Sequence, residues 1–212
     1  MTTRILAAAL LASALLPAAA ATANDPIDDF IATYTGPHAG DLDVVSSFVS
    51  YNTDTDTFTF SGTMNAAIGT TAGSFYVWGV NRGNGAASFA TLGTGYPDIK
   101  FDIVVILRAN GTGSVGATAL TPVLDGNTIS ATVPGSLLAS TGFAKAAYTW
   151  NLWPRAGSVS GTAAISDFAP DATNQSVTAV PEPASLALMG LGLAAVLGIS
   201  RARARGDRPG RS

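Results

Sequence analysis

Seven short runs with a repeat of two residues, separated by turn chemistry, set the limits on how the middle of this chain can fold. Phe48-Val49-Ser50-Tyr51, Thr57-Phe58-Thr59-Phe60-Ser61, Ser74 to Val80, Phe101 to Leu107, Thr128 to Val133, Thr149 to Trp153 and Gly161 to Ile165 are rich in β-branched and aromatic residues. Such side chains suit a pleated, half-buried surface. Between them, Asn81-Arg82-Gly83-Asn84-Gly85, Asn110-Gly111 and Asp125-Gly126-Asn127 place Asn, Asp and Gly where φ > 0 is needed. Thr57 to Ser61 alternates, so Phe58 and Phe60 are predicted to share one inward face. Ile103 to Leu107 is apolar throughout and is predicted to be a central strand. No stretch between Gly36 and Asp171 carries a long helical period, and Ser136 to Ala139, after Pro134, has room for one turn. The expectation is an all-β chain, a β-sandwich over residues 41–171.

The two ends have a different chemistry. Arg4, the apolar run Ile5 to Leu16 and the small-residue triplet Ala21-Thr22-Ala23 have the layout of a secretory signal peptide, residues 1–23, cut between Ala23 and Asn24. Residues 24–40 are then an N-terminal extension to the sandwich and residues 172–180 a linker behind it. Next come Pro181, Glu182 and Pro183, an uncharged run from Ala184 to Ser200, and Arg201, Arg203, Arg205, Arg208 and Arg211. The run over 184–200 makes roughly 25 Å of helix, enough to cross a hydrocarbon core with little slack. The two prolines hold the stretch around Glu182 extended and accessible. Arginines directly after the run favour a cytoplasmic C-terminus, leaving Glu182 and the body on the other side.

This three-part tail resembles the PEP-CTERM sorting signal, here residues 181–205, with 206–212 as a basic cytoplasmic tail. The resemblance implies that exosortase recognises Pro181, Glu182 and Pro183, cleaves near them and discards the helix, so the membrane is a transient partner. A second likeness covers roughly residues 41–171. Phe75-Tyr76-Val77-Trp78, Phe101-Asp102-Ile103-Val104-Val105, Ile129 to Val133 running into Pro134-Gly135-Ser136-Leu137-Leu138, and Asp167-Phe168-Ala169-Pro170-Asp171 resemble jelly-roll sandwiches of the carbohydrate-binding and DOMON type. Such modules bind sugars, haem or calcium, or act as spacers. For axial haem ligands the body offers only His38 and Met64.

Charge narrows the partners further. From Asn24 to Val180 there are twelve aspartates against five basic residues, a balance of −7. An acidic field disfavours nucleic acid and anionic lipid, which need clustered Lys and Arg. The chain has no cysteine, so the exported body gains no disulfide and the cysteine-dependent zinc and redox motifs are excluded.

The chemical motifs are thin. Gly111-Thr112-Gly113-Ser114-Val115-Gly116 spells G-x-G-x-x-G, but Thr118 to Pro122 offers no helix to face a pyrophosphate, so a glycine-rich hairpin connection is expected. Asn52, Asp54 and Asp56 alternate as in a calcium loop, yet Thr57 and Thr63 stand where an EF-hand needs Gly and Glu. A looser calcium site keeps Asp41, Asp43, Asp167 and Asp171 as further candidates, against solvated turn aspartates. His38 is the single histidine and there is no G-x-S-x-G elbow, so no Ser-His-Asp arrangement is expected. Tyr76, Trp78, Tyr148, Trp150 and Trp153 are either core or a platform for sugar rings. Alternation puts Trp150 and Leu152 on one face, Asn151 and Trp153 on the other; Trp153, were it exposed beside Arg155, is the best glycan contact. The resulting expectation is a non-catalytic, exosortase-processed protein of the cell surface or exopolysaccharide matrix, with no cofactor, calcium alone being left open. A carbohydrate- or calcium-binding surface module is the alternative.

Overall fold

Twelve strands lie within residues 20–91 and 95–180, the part of the chain that the computed structural model describes. In chain order they are β1 (Ala23–Asn24), β2 (Val44–Asn52), β3 (Thr57–Met64), β4 (Phe75–Asn81), β5 (Ile103–Arg108), β6 (Gly113–Val115), β7 (Thr118–Leu120), β8 (Val123–Asp125), β9 (Thr128–Pro134), β10 (Thr149–Arg155), β11 (Gln175–Ser176) and β12 (Thr178–Val180). They form two six-stranded sheets. One runs β1-β2-β3-β9-β8, with β12 also paired to β2; the other runs β11-β10-β4-β5-β6-β7. All ladders are antiparallel except β12 on β2. The expected all-β sandwich is the observed architecture.

Period-two alternation explains the packing. Phe58 and Phe60 of β3 point inward with Val49, Tyr51, Ile129 and Val133. They meet Tyr76, Trp78, Val105, Leu107, Trp150 and Leu152 from the facing sheet. Each such side chain contributes about 1.5–3 kcal/mol by leaving water. The opposite face of the first sheet carries most of the threonines and serines, where Thr63 and Thr128 hydroxyls bond across β3 and β9 at 3.1 Å, whereas Ser47 points inward and accepts Trp78 Nε1 at 3.2 Å.

The outer face of the second sheet is apolar as well, because a second, smaller core covers it. Val77 and Trp153 pack there with Phe89, Ile99, Ile165 and Phe168, flanked by Phe75, Tyr96, Phe101, Val104 and Ile106. This explains why Ile103 to Leu107 reads as apolar on both faces: Val105 and Leu107 serve the inner core, Val104 and Ile106 the outer.

One expected strand is absent. Gly161–Ala164 forms a 3-10 turn, with Gly161 at φ 65°, and only Ile165 bridges to Arg155. A left-handed glycine followed by two alanines supplies neither the extended backbone nor the side-chain surface of a strand. The single turn expected after Pro134 is present at Gly135–Leu138.

Both flanks of the 41–171 region contribute strands. Residues 24–40 carry the end of β1 and bond to the body through Ile31 N–H to Ser166 O at 2.9 Å and Thr35 N–H to Ala163 O at 3.1 Å. Residues 172–180 carry β11 on one sheet and β12 on the other. Among the described residues no helix is long and apolar enough to cross a membrane. The signal-peptide core, the Pro181-Glu182-Pro183 motif, the 184–200 span and Arg201, Arg203 and Arg205 lie outside the described residues.

Candidate metal centre

Three segments converge where β2 begins. The first follows β1: Asp25 N–H donates to Val45 O at 3.0 Å, and Ile31 N–H ties the far end of the segment to Ser166. Between them Asp28 sits at φ 64°, a left-handed position that aspartate tolerates better than most residues. Its N–H donates to Asp43 Oδ2 at 3.1 Å. The second segment is the 3-10 turn Gly40–Leu42, which delivers Asp43 just before β2. The third lies along the edge of β10 opposite β4, where Leu152 and Ala169 exchange N–H···O bonds of 2.9 and 2.8 Å. This fixes Asp167, which accepts Val44 N–H at 2.8 Å on Oδ2 and Phe168 N–H at 2.7 Å on Oδ1.

One carboxylate oxygen each from Asp25, Asp29, Asp167 and Asp171 lies within 4.8 Å of the other three. Asp167 is buried, Asp25 and Asp29 half-buried and Asp171 exposed, so the group has a dry floor and a wet mouth. Burial raises the affinity of Asp25 for its proton, and the charges of Asp167, Asp171 and Asp29 raise it further. Asp29 is pushed up by burial and then by Asp171. Asp167 is also pushed up, by burial first; the Val44 and Phe168 N–H groups only partly offset this, while Asp29 and Asp43 add to it. Tyr96 borders the mouth, its phenol held protonated by burial and by Asp171 and Asp167. Three buried oxygens here have no hydrogen-bond partner: Asp25 Oδ2, Asp29 Oδ1 and Asp43 Oδ1. Only oxygen donors are present, the set that suits a hard cation.

Of the calcium candidates read from sequence, Asp167 and Asp171 are brought together and Asp43 borders them. Asp41 is not. Its carboxylate accepts Thr71 N–H at 2.8 Å, Thr71 Oγ1 at 2.6 Å and Ser74 Oγ at 3.4 Å, so it pins the 71–74 loop. Asn52, Asp54 and Asp56 form the β2–β3 turn. Asn52 Oδ1 accepts the N–H groups of Asp54 and Thr55 at 2.9 and 3.0 Å, and Asp56 pairs with Lys145 Nζ at 2.6 Å and accepts from Tyr51. Asp25 and Asp29 were not singled out by the sequence, because more than a hundred residues separate them from Asp167. The available signal was three aspartates, 25, 28 and 29, packed into five positions directly after the expected cleavage site.

Of the two readings of the five candidate aromatics, core and platform, the core is the one observed for each. Trp150 and Trp153 do face opposite sides of β10, but Trp153 is only 2% exposed, enclosed by Phe89, Phe101 and Phe168. The second core leaves it no free face. Tyr76, Trp78, Tyr148 and Trp150 are fully buried. Arg155 reaches over the Phe75 ring at 5.5 Å and donates to Gly161 O. His38 stacks on Phe30 at 4.4 Å between ring centroids and on Tyr34 at 5.6 Å. Met64 is buried in the inner core, far in role from any axial ligand. The glycine motif is the expected hairpin connection: Gly111 and Gly116 take φ of 82° and 54° on either side of β6.

At the expected signal cleavage site, Ala23 and Asn24 pair with Ser47 and Ser46 of β2. At the other end β12 pairs with Ser50 to Asn52 on the same edge of β2 and stops at Val180, directly before the Pro-Glu-Pro triplet. Residues 179–203 match the model of the PEP-CTERM protein-sorting motif. The chain carries a PEP-CTERM sorting signal. A PEP-CTERM tail implies an exported exosortase substrate, anchored transiently in the membrane before cleavage. The matched span begins inside β12 and shares Ala179 and Val180 with it. No curated protein and no solved structure matches the chain, and the jelly-roll likeness rests on the sequence phrases alone.

Proposed function

We propose that this PEP-CTERM protein is a non-catalytic component of the cell surface or exopolysaccharide matrix, released from its membrane tether by exosortase. The observation that carries the reading is the sorting motif over residues 179–203. The body supports it: a sandwich with apolar cores on both faces of its second sheet and an acidic balance suits a soluble surface module, and His38 is engaged in a ring stack with Phe30 and Tyr34.

Intact-mass analysis of the protein from its host tests the processing. With exosortase active, the mass corresponds to loss of the 184–200 span and the arginines behind it; in Glu182→Ala the span is retained and the protein stays with the membrane. Recovery of the full tail from exosortase-active cells would overturn the reading. Matrix location is read separately, by the partition of the processed protein between cells and extracted exopolysaccharide.

A further inference from the structure

Four carboxylate oxygens within 4.8 Å of one another, from Asp25, Asp29, Asp167 and Asp171, fit on one coordination sphere. Ligands facing each other across calcium stand roughly 4.6–5.2 Å apart, twice the usual calcium–oxygen distance, whereas across magnesium they stand roughly 4.0–4.2 Å apart. The acidic group does not stand alone. Asp43 is 1% exposed and its Oδ1 has no partner. Its other oxygen is held by Asp28 N–H and by Asn65 Nδ2 at 2.9 Å. The next residue, Val44, donates to Asp167, so Asp43 is fixed between the Asp25–Asp29 segment and Asp167, and its charge bears on both Asp29 and Asp167. A buried carboxylate oxygen left without a donor or cation is costly. Here there are three of them: Asp25 Oδ2 and Asp29 Oδ1 within the cluster, and Asp43 Oδ1 on the buried carboxylate beside it. The ion pairs among the described residues, Arg82–Asp102 and Lys145–Asp56, use other aspartates.

We propose that Asp25, Asp29, Asp167 and Asp171, backed by the buried Asp43, bind one calcium ion that staples the segment after the signal peptide to the sandwich. Asp167 and Asp43 supply the rigid floor, held by backbone N–H groups. Asp171, exposed, marks the entry path. The ion bridges residue 25 to residue 171, closing a loop that spans nearly the whole described body. The surface location proposed above adds the supply, since extracellular calcium sites work at about 10⁻⁴–10⁻³ M. The site itself does not depend on that location.

The test uses the exported protein purified from its host and stripped with a chelator. Terbium, a calcium surrogate excited through Tyr96 at the mouth, is expected to give emission saturating at one ion per chain and reversed by calcium. Melting in about 10 mM calcium, roughly a hundredfold above the tight end of that range, is expected about 5–10 °C higher than in chelator. The double variant Asp29→Asn/Asp171→Asn changes the two less buried ligands and should lose both signals. Its near-ultraviolet spectrum, reporting the buried Trp78 and Trp150, should match the parent and establishes that it folds. Equal melting in calcium and chelator overturns the proposal, as happens if a shared proton or the α-ammonium group of Asn24 neutralises the cluster. So does terbium or calcium binding that survives in the folded double variant, or an equal rise with magnesium.

Discussion

Single residues in this body hold loops down by charge or fill space that a smaller side chain would leave void. Asp102 is the clearest anchor. Its carboxylate accepts Arg82 Nε at 2.8 Å, the backbone N–H groups of Arg82 and Asn84, and Thr141 Oγ1. Burial alone would push its pKa up, but the bonds from Arg82, Thr141 and Asn84 outweigh it and hold the carboxyl below its ordinary value. A depressed native pKa means that the stabilisation is present above the unfolded value, near 4, and disappears as pH falls through the native one. Asp102→Asn should therefore cost about 1–3 kcal/mol at neutral pH, and the gap to the parent should close as pH is lowered below 4, measured by urea unfolding across that range. Trp153 fills space. Its ring lies on the backbone of Gly79, where an added Cβ would come within 2.5 Å of it. Trp153→Ala is expected to cost about 3–5 kcal/mol, read as a lower urea midpoint. The same change tested for glycan binding would report unfolding rather than a lost contact.

Elements differ in how plainly the sequence announces them, and the difference follows from where their partners lie. β3 was legible because Phe58 and Phe60 alternate with Thr57, Thr59 and Ser61, a pattern that needs one wet and one dry face. β5 was legible as central, but the reason was hidden: the loop between β4 and β5 brings Phe89 and Ile99 over the second sheet, a long-range packing that no local pattern encodes. The same loop took Trp153 out of reach. Gly161 to Ile165 was misread because Ile165 is held by the outer core, not by a strand pattern. The aspartate cluster was half legible, in Asp167 and Asp171, since its other half reaches the site through long-range contacts, the β1 pairing on β2 and the bonds of Asp28 to Asp43 and Ile31 to Ser166. β11 and β12 were unreadable: two and three residues long, they owe their form to neighbours. Between them the chain crosses from one sheet to the other, and Val177 is the plug, with its side chain in the inner core and its N–H on Tyr148 O at 2.9 Å. Val177→Ala should cost about 1–2 kcal/mol. Because the loss is local, amide exchange should quicken at residues 178–180 while β3 amides change only with global stability.

At the scale of the whole molecule, both flanks of the body share one edge. β1 covers Ser46 and Ser47 of β2 and β12 covers Ser50 to Asn52, with Ala21 N–H donating to Thr178 Oγ1 at 2.7 Å. In the uncut chain, residues 21–24 and 178–180 thereby line the edge of β2 and cover backbone groups that would otherwise template aggregation; a cut after Ala23 would leave Asn24 as the remnant of β1. This closure has a consequence for the order of events. The bond expected to be cut on export joins Ala23 to Asn24, and in the folded body both residues are in the β ladder with Ala23 only 6% exposed. A leader peptidase needs that segment extended and free of other pairing, so cutting should come before β1 docks. Purified full-length precursor, refolded in detergent, should resist cleavage after Ala23 at least about tenfold relative to the denatured chain, since even about 1.4 kcal/mol of local pairing lowers the open population that much. Subdenaturing urea should raise the cleavage rate in step with exchange of the Ser46 and Ser47 region, long before the Trp78 and Trp150 signals change. Equal cleavage rates for folded and unfolded precursor would mean that β1 pairing is too weak to hide the bond, and that the N-terminal segment is held by its other contacts, Ile31 to Ser166 and the aspartate cluster, instead.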